Sequence, residues 1–112
     1  MALIFAKQGE PKELKFPEAK AIQKTTKYTS PIYYHLDGEN KGNWVDNDGY
    51  VMKTMNNSNY EKTDTGLLIR SVSKDDEGDY NVFPPVRVQV MRNGKAQYDH
   101  APGHLIHLHV DD

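Results

Sequence analysis

The side chains best suited to chemistry are five histidines, His35, His100, His104, His107 and His109. On a strand, His107 and His109 point to one face roughly 6 to 7 Å apart, close enough to share a metal ion. Local spacing fixes no third ligand and no supporting hydrogen-bond partner, so the pair reads as a polar outer face, with no metal site and no cofactor expected. Histidines on one face would still gain charge near about pH 6 to 7 and weaken a contact made there. The run Asp75-Asp76-Glu77 offers carboxylates for acid–base work, but Asp76 is better used in a turn and its neighbours are expected in solvent. Ser71 and Ser73 have no fixed histidine and no Gly-x-Ser-x-Gly elbow, and no glycine loop suits a phosphate. The chain is therefore not expected to be an enzyme.

Composition narrows the remaining classes. The 112 residues fit one domain, residues 1–112, and 14 Lys+Arg against 16 Asp+Glu leave a formal charge of −2. There is no basic excess to attract nucleic acid. Cysteine is absent, which excludes disulfides, thiolate zinc sites and cysteine nucleophiles. The opening Met-Ala-Leu-Ile-Phe-Ala is too short and lacks the basic lead of a signal peptide, and no stretch is long enough to insert in a membrane. The ending His-Val-Asp-Asp directly follows a strand-like run. An excised domain of a larger protein is the expectation.

The elements that must position these residues read as strands throughout, which makes the chain all-β. Leu3 and Phe5 mark an edge strand, and Leu14 and Phe16 the centre of a second, closed by Pro17. Glu18 to Ser30 is polar and reads either as a long loop or as a helical turn around Glu18 to Lys24. Ile32-Tyr33-Tyr34-His35-Leu36 has the aromatic and branched residues of a pleated surface and ends at Asp37-Gly38. A short strand is expected at Asn43 to Val45, with further short runs at Tyr50 to Met55 and Tyr60 to Thr65. Val86, Val88 and Val90 alternate with polar residues up to Asn93-Gly94, a strong hairpin signal. Ile106, Leu108 and Val110 alternate on the return. The last two strands should form a long hairpin, interrupted at one level by Pro84-Pro85 and Ala101-Pro102-Gly103.

The run Leu67-x-Ile69-x-x-Val72-x-x-x-Asp76-x-Gly78-x-Tyr80 carries a family signature. Gly78 tolerates backbone angles barred to other residues, Asp76 accepts backbone N–H bonds, and Tyr80 returns its hydroxyl to the corner. This Asp-x-Gly-x-Tyr run resembles the corner between strands E and F of the immunoglobulin superfamily, including its tyrosine corner. The resemblance implies an immunoglobulin-like antiparallel β-sandwich with an extended F-G hairpin. It sets Phe16 and Val82 where the family has its two cysteines, Tyr34 where it has its strand C tryptophan, and Lys53 as the basic partner of Asp76. The missing disulfide would forfeit about 3 to 4 kcal/mol. Length and strand number resemble the variable-type layout, and disulfide-free domains of that kind resemble the adhesion receptors of the CD2 family. They also resemble the intracellular immunoglobulin domains of muscle filament proteins.

Alternation then selects a surface. With Ile32, Tyr34, Val82, Ile106 and Leu108 inward, Tyr33, His35, Asn81, Phe83, His107 and His109 share the outer face of one sheet. Tyr33 and Phe83 are expected as aromatic anchors and His35, Arg87, Arg92 and His107 as polar neighbours, with Arg92, Asn93 and Lys95 at the hairpin tip as a second contact. A covering loop at Glu18 to Ser30 is the bland alternative for the anchors. The resulting expectation is a protein-recognition or cell-adhesion module whose partner is another protein, either a different one or a second copy. It would stand at the cell surface as part of a larger protein, and Asn56-Asn57-Ser58 fits a glycosylation acceptor. The competing expectation is a structural domain of a cytoplasmic filament.

Overall fold

Alternation of apolar and polar residues builds the centre of the molecule. The computed structural model describes residues 1–85, 87–100 and 104–112. In β8 (Gly78–Phe83) Tyr80 and Val82 are buried, and in β11 (Ile106–Asp111) Ile106, Leu108 and Val110 are buried. These strands pair antiparallel, with Ile106 opposite Tyr80. β1 (Ala2–Lys7) joins the far side of β11 in parallel register. On the other side of β8 lie β3 (Ala21–Thr26), β4 (Thr29–His35) and the two-residue β5 (Trp44–Val45), giving the order β1-β11-β8-β3-β4-β5. A second sheet, in the order β2-β7-β6, contains β2 (Lys12–Lys15), β6 (Tyr60–Thr63) and β7 (Gly66–Ile69).

The core draws on both sheets, in a sandwich-like arrangement. Leu14, Leu67 and Ile69 come from the three-stranded sheet, and Ile22, Tyr34, Trp44, Tyr80, Val82 and Leu108 from the six-stranded one. Trp44 is fully buried, with edge contacts to Tyr34 at 5.5 Å and Tyr60 at 5.3 Å between ring centroids. Such pairs add about 0.5 to 1.5 kcal/mol beyond their area.

Several sequence expectations need correction. Glu18 to Ser30 is neither loop nor helix: it holds β3, a central strand, and the start of β4. The strand signal failed because an inward position of β3 is Lys24, only 6 % exposed, where the pattern calls for an apolar residue. Phe16 sits just past the end of β2, not within it, and is buried in the core with Leu14. Tyr34 lies on β4, one strand further from β8 than the family position assigned to it. Tyr50 to Met55 forms no strand; Val51 only bridges to Val45.

The long hairpin divides in two. Near the core β8 and β11 pair with each other, whereas β9 (Arg87–Arg92) and β10 (Lys95–His100) form a separate two-stranded ribbon. Pro84 and Pro85 lie between β8 and β9, and Ala101-Pro102-Gly103 lies outside the described residues, as does the Arg87 side chain. At the tip Asn93 and Gly94 have φ of 52° and 76°, the positive pair that a tight two-residue turn requires.

Candidate functional site

The outer face of the six-stranded sheet is concave at its β5 end. Tyr33 stands opposite Gln23, and His35 opposite Ala21, which in turn stands opposite Phe83. Val45 faces Tyr33 across the edge pair. Since Ile22 and Trp44 point into the core, Ala21 and Val45 point outward, yet each is only 3 % exposed. They line a groove of about 580 Å³ together with Tyr33, His35, Phe83 and Pro84.

Two aromatic rings wall this groove. Tyr33 and Phe83 meet edge to face at 5.0 Å, and Phe83 keeps 39 % of its surface exposed. The Tyr33 hydroxyl accepts from Gln23 Nε2 at 3.2 Å and donates to Asn47 Oδ1 at 3.3 Å. β3, read from sequence as a possible cover, instead provides the floor at Ala21. The rim is set by two turns. Asp46 Oδ1 accepts the backbone N–H groups of Asp48 and Tyr50, both at 2.9 Å, and the Gly42 N–H donates to the His35 carbonyl at 2.9 Å. Asp37, Glu39 and Asp46 face the groove against a single ammonium, Lys20. An apolar floor, a half-exposed aromatic pair and an acidic rim suit a side chain with a flat apolar body and a positive end.

The expected site residues are thus brought together only in part. Tyr33, His35 and Phe83 share the groove. Arg92, Asn93 and Lys95 are exposed at the ribbon tip. His107 lies four residues further along the paired ladder than Phe83, about 13 Å away, where its Nδ1 meets Asp79 Oδ1 at 2.6 Å. His109 is held between Glu77 at 3.0 Å and Asp111 at 3.1 Å. Among the described residues no three His, Asp or Glu side chains converge as a metal site. Sequence reasoning missed Ala21, Val45, Asp37, Glu39, Asp46 and Asn47. The signal for the acidic residues was present in the Asp37-Gly38 and Asp48-Gly49 turns, which flank the tryptophan strand and so return to one edge.

The corner beneath β8 is a buried polar network. The Tyr80 hydroxyl donates to the Asp76 carbonyl at 2.5 Å. The Asp76 carboxylate, 2 % exposed, accepts from the Ser73 N–H at 2.8 Å and from the Tyr60 hydroxyl. Lys53, expected as the partner of Asp76, is exposed, and the space belongs to Tyr60 from one sheet and Lys24 from the other. The Lys24 ammonium donates to the Asp75 carbonyl and lies 5.7 Å from the Tyr80 ring centre. Burial pushes its pKa down, against the pull of Asp76 and Asp75. Burial, and then the bond to Asp76, drives the Tyr60 phenol far above its ordinary value; burial and the Asp76 charge do the same to Tyr80. This network ties the sheets together and is closed to a ligand.

No protein-family model matches the chain, and no curated protein matches it.

Proposed function

We propose that the chain is an immunoglobulin-like domain of variable-type layout that serves as a protein-recognition or adhesion module at the cell surface. The strand order supports the fold reading: β11, β8 and β3 correspond to strands G, F and C, β4 and β5 to the two extra strands of the variable type, and β2, β7 and β6 to B, E and D. The Tyr80 bond to the Asp76 carbonyl is the tyrosine corner of that family. Asn56, in the acceptor triplet, is exposed and therefore open to a glycan.

One observation carries the functional reading: the Tyr33–Phe83 pair stands half-exposed over a preformed groove. Aromatic anchors beside a pocket and ringed by polar groups are what protein interfaces use as hot spots. The test is a binding assay with beads coated with the domain, presented to one another and to a panel of cells, beside beads carrying Tyr33→Ser, Phe83→Ser. The expected result is adhesion that falls about thirtyfold or more in the variant, equivalent to a hot-spot loss of about 2 kcal/mol, while circular dichroism stays unchanged. Adhesion that survives the double substitution, or no adhesion by the unsubstituted domain, overturns the reading.

A further inference from the structure

The ribbon and the groove are complementary in charge. The tip carries Arg92 and Lys95, and the groove presents Asp37, Glu39 and Asp46 against Lys20, in a chain whose formal charge is only −2. The Tyr33 and Phe83 rings give the groove a surface on which a guanidinium or an alkyl-ammonium stem can rest.

The ribbon also has the character of half an interface. Its strands, six residues each, make their extensive contacts with one another. A lone two-stranded ribbon is marginal in water. Cross-strand register sets Met91 opposite Ala96 and Gln89 opposite Tyr98, so Met91 and Tyr98 share one face, and they are 68 % and 70 % exposed. The molecule measures 50 × 32 × 30 Å, long in one direction.

Geometry selects a second copy as the occupant. Pro84 lines the groove and β9 begins at Arg87, so the ribbon starts three residues from the groove and its tip lies about 20 Å along it. Two such ribbons laid side by side in opposite directions bring each tip to the root of the other, where the groove opens. The contact is its own complement and closes after two copies. From this we infer that the chain forms a two-fold dimer in which each Arg92–Lys95 tip seats in the partner copy's acidic, aromatic-walled groove, with the Met91 and Tyr98 faces covered between. The inference rests on the groove being a recognition site.

Sedimentation equilibrium from micromolar to submillimolar concentration tests it, using the whole chain and two exposed charge reversals. One variant carries Arg92→Glu, Lys95→Glu at the tip; the other carries Asp37→Lys, Glu39→Lys at the groove rim. The unsubstituted chain is expected to dimerise, and each variant alone to dimerise at least about tenfold more weakly, because tip and groove then share a sign. An equimolar mixture restores both contacts and should recover a heterodimer. A monomer throughout overturns tip exchange, as does a dimer indifferent to both reversals or a mixture that does not recover. If the beads still bind cells while the chain stays monomeric, the groove serves a foreign partner and only the dimer falls. If a dimer resists both reversals but is lost in Tyr33→Ser, Phe83→Ser, the faces meet directly, and the recognition reading stands without tip exchange.

Discussion

Tyr60 and Tyr80 keep their phenols neutral beside the Asp76 carboxylate, and this couples stability to alkaline pH. In the unfolded chain both ionise near about pH 10, whereas in the folded chain their pKa values are raised. The stability they contribute is complete below about pH 10 and is lost as pH rises above it. Lys24 acts in the opposite sense, since its folded pKa is lowered: stability rises with pH between that value and the unfolded value of about 10.4. Two phenols oppose one ammonium, so the urea midpoint is expected to hold or rise slightly to about pH 10 and then fall. Tyr60→Phe and Tyr80→Phe should each flatten that fall, at the expense of about 1 kcal/mol near neutrality for the lost hydrogen bond. Spectrophotometric titration gives a second measurement, since Tyr60 and Tyr80, two of seven tyrosines, should resist ionisation until the protein unfolds, while burial shifts Tyr34 upward as well. Asp76, Gly78 and Tyr80 were legible in the sequence because a corner is a local device with fixed offsets. Lys24 and Tyr60 were not, since they reach that corner from positions 52 and 16 residues before Asp76.

At the level of elements, what the sequence disclosed follows from how cleanly one face is apolar. β8 and β11 alternate without exception, and the ribbon announces its turn with Asn93-Gly94. β3 offers only Ile22 as a large apolar inward residue, because its next inward position is a lysine that hydrogen-bonds to Asp75. The second sheet depends on a close approach that composition does not reveal. A Cβ built on Gly66 would fall 1.9 Å from the Leu14 carbonyl oxygen, which is backbone and cannot swing aside. Gly66→Ala is therefore expected to force β2 and β7 apart and cost about 2 to 4 kcal/mol in chemical denaturation. The ribbon should behave in the opposite way. Replacing residues 86–103 by a short Gly-Ser turn leaves the core residues of β8 and β11 intact. It is expected to change the unfolding free energy of the monomer by no more than about 1 kcal/mol while abolishing self-association.

At the scale of the whole molecule, the groove is a product of the fold. Its lining runs from Lys20 to Pro84 in sequence and comes from four strands and two turns, so alternation could nominate Tyr33, His35 and Phe83 for one face but not reveal the hollow between them. The acidic rim was announced only by the Asp37-Gly38 and Asp48-Gly49 turns, since alternation assigns no face to residues in turns. That separation of charge makes salt a discriminating variable. The tip charges and the rim carboxylates of Asp37 and Glu39 are exposed, and the screening length shrinks from about 10 Å at 0.1 M salt to about 3 Å at 1 M. A dimer made by tip exchange should weaken by about three- to tenfold over that range in sedimentation at constant pH. The loss should be partial, since the Met91 and Tyr98 faces, and the alkyl stems that rest on Tyr33 and Phe83, make apolar contacts that salt does not screen. A dimer held only by the aromatic faces should hold its affinity or gain from added sulfate, which favours apolar burial. The tip-reversed and groove-reversed mixture should lose affinity with salt more steeply than the unsubstituted chain, because its partners carry formal charges of −6 and +2 (−2 − 4 and −2 + 4) and attract as wholes, whereas two unsubstituted copies of −2 repel.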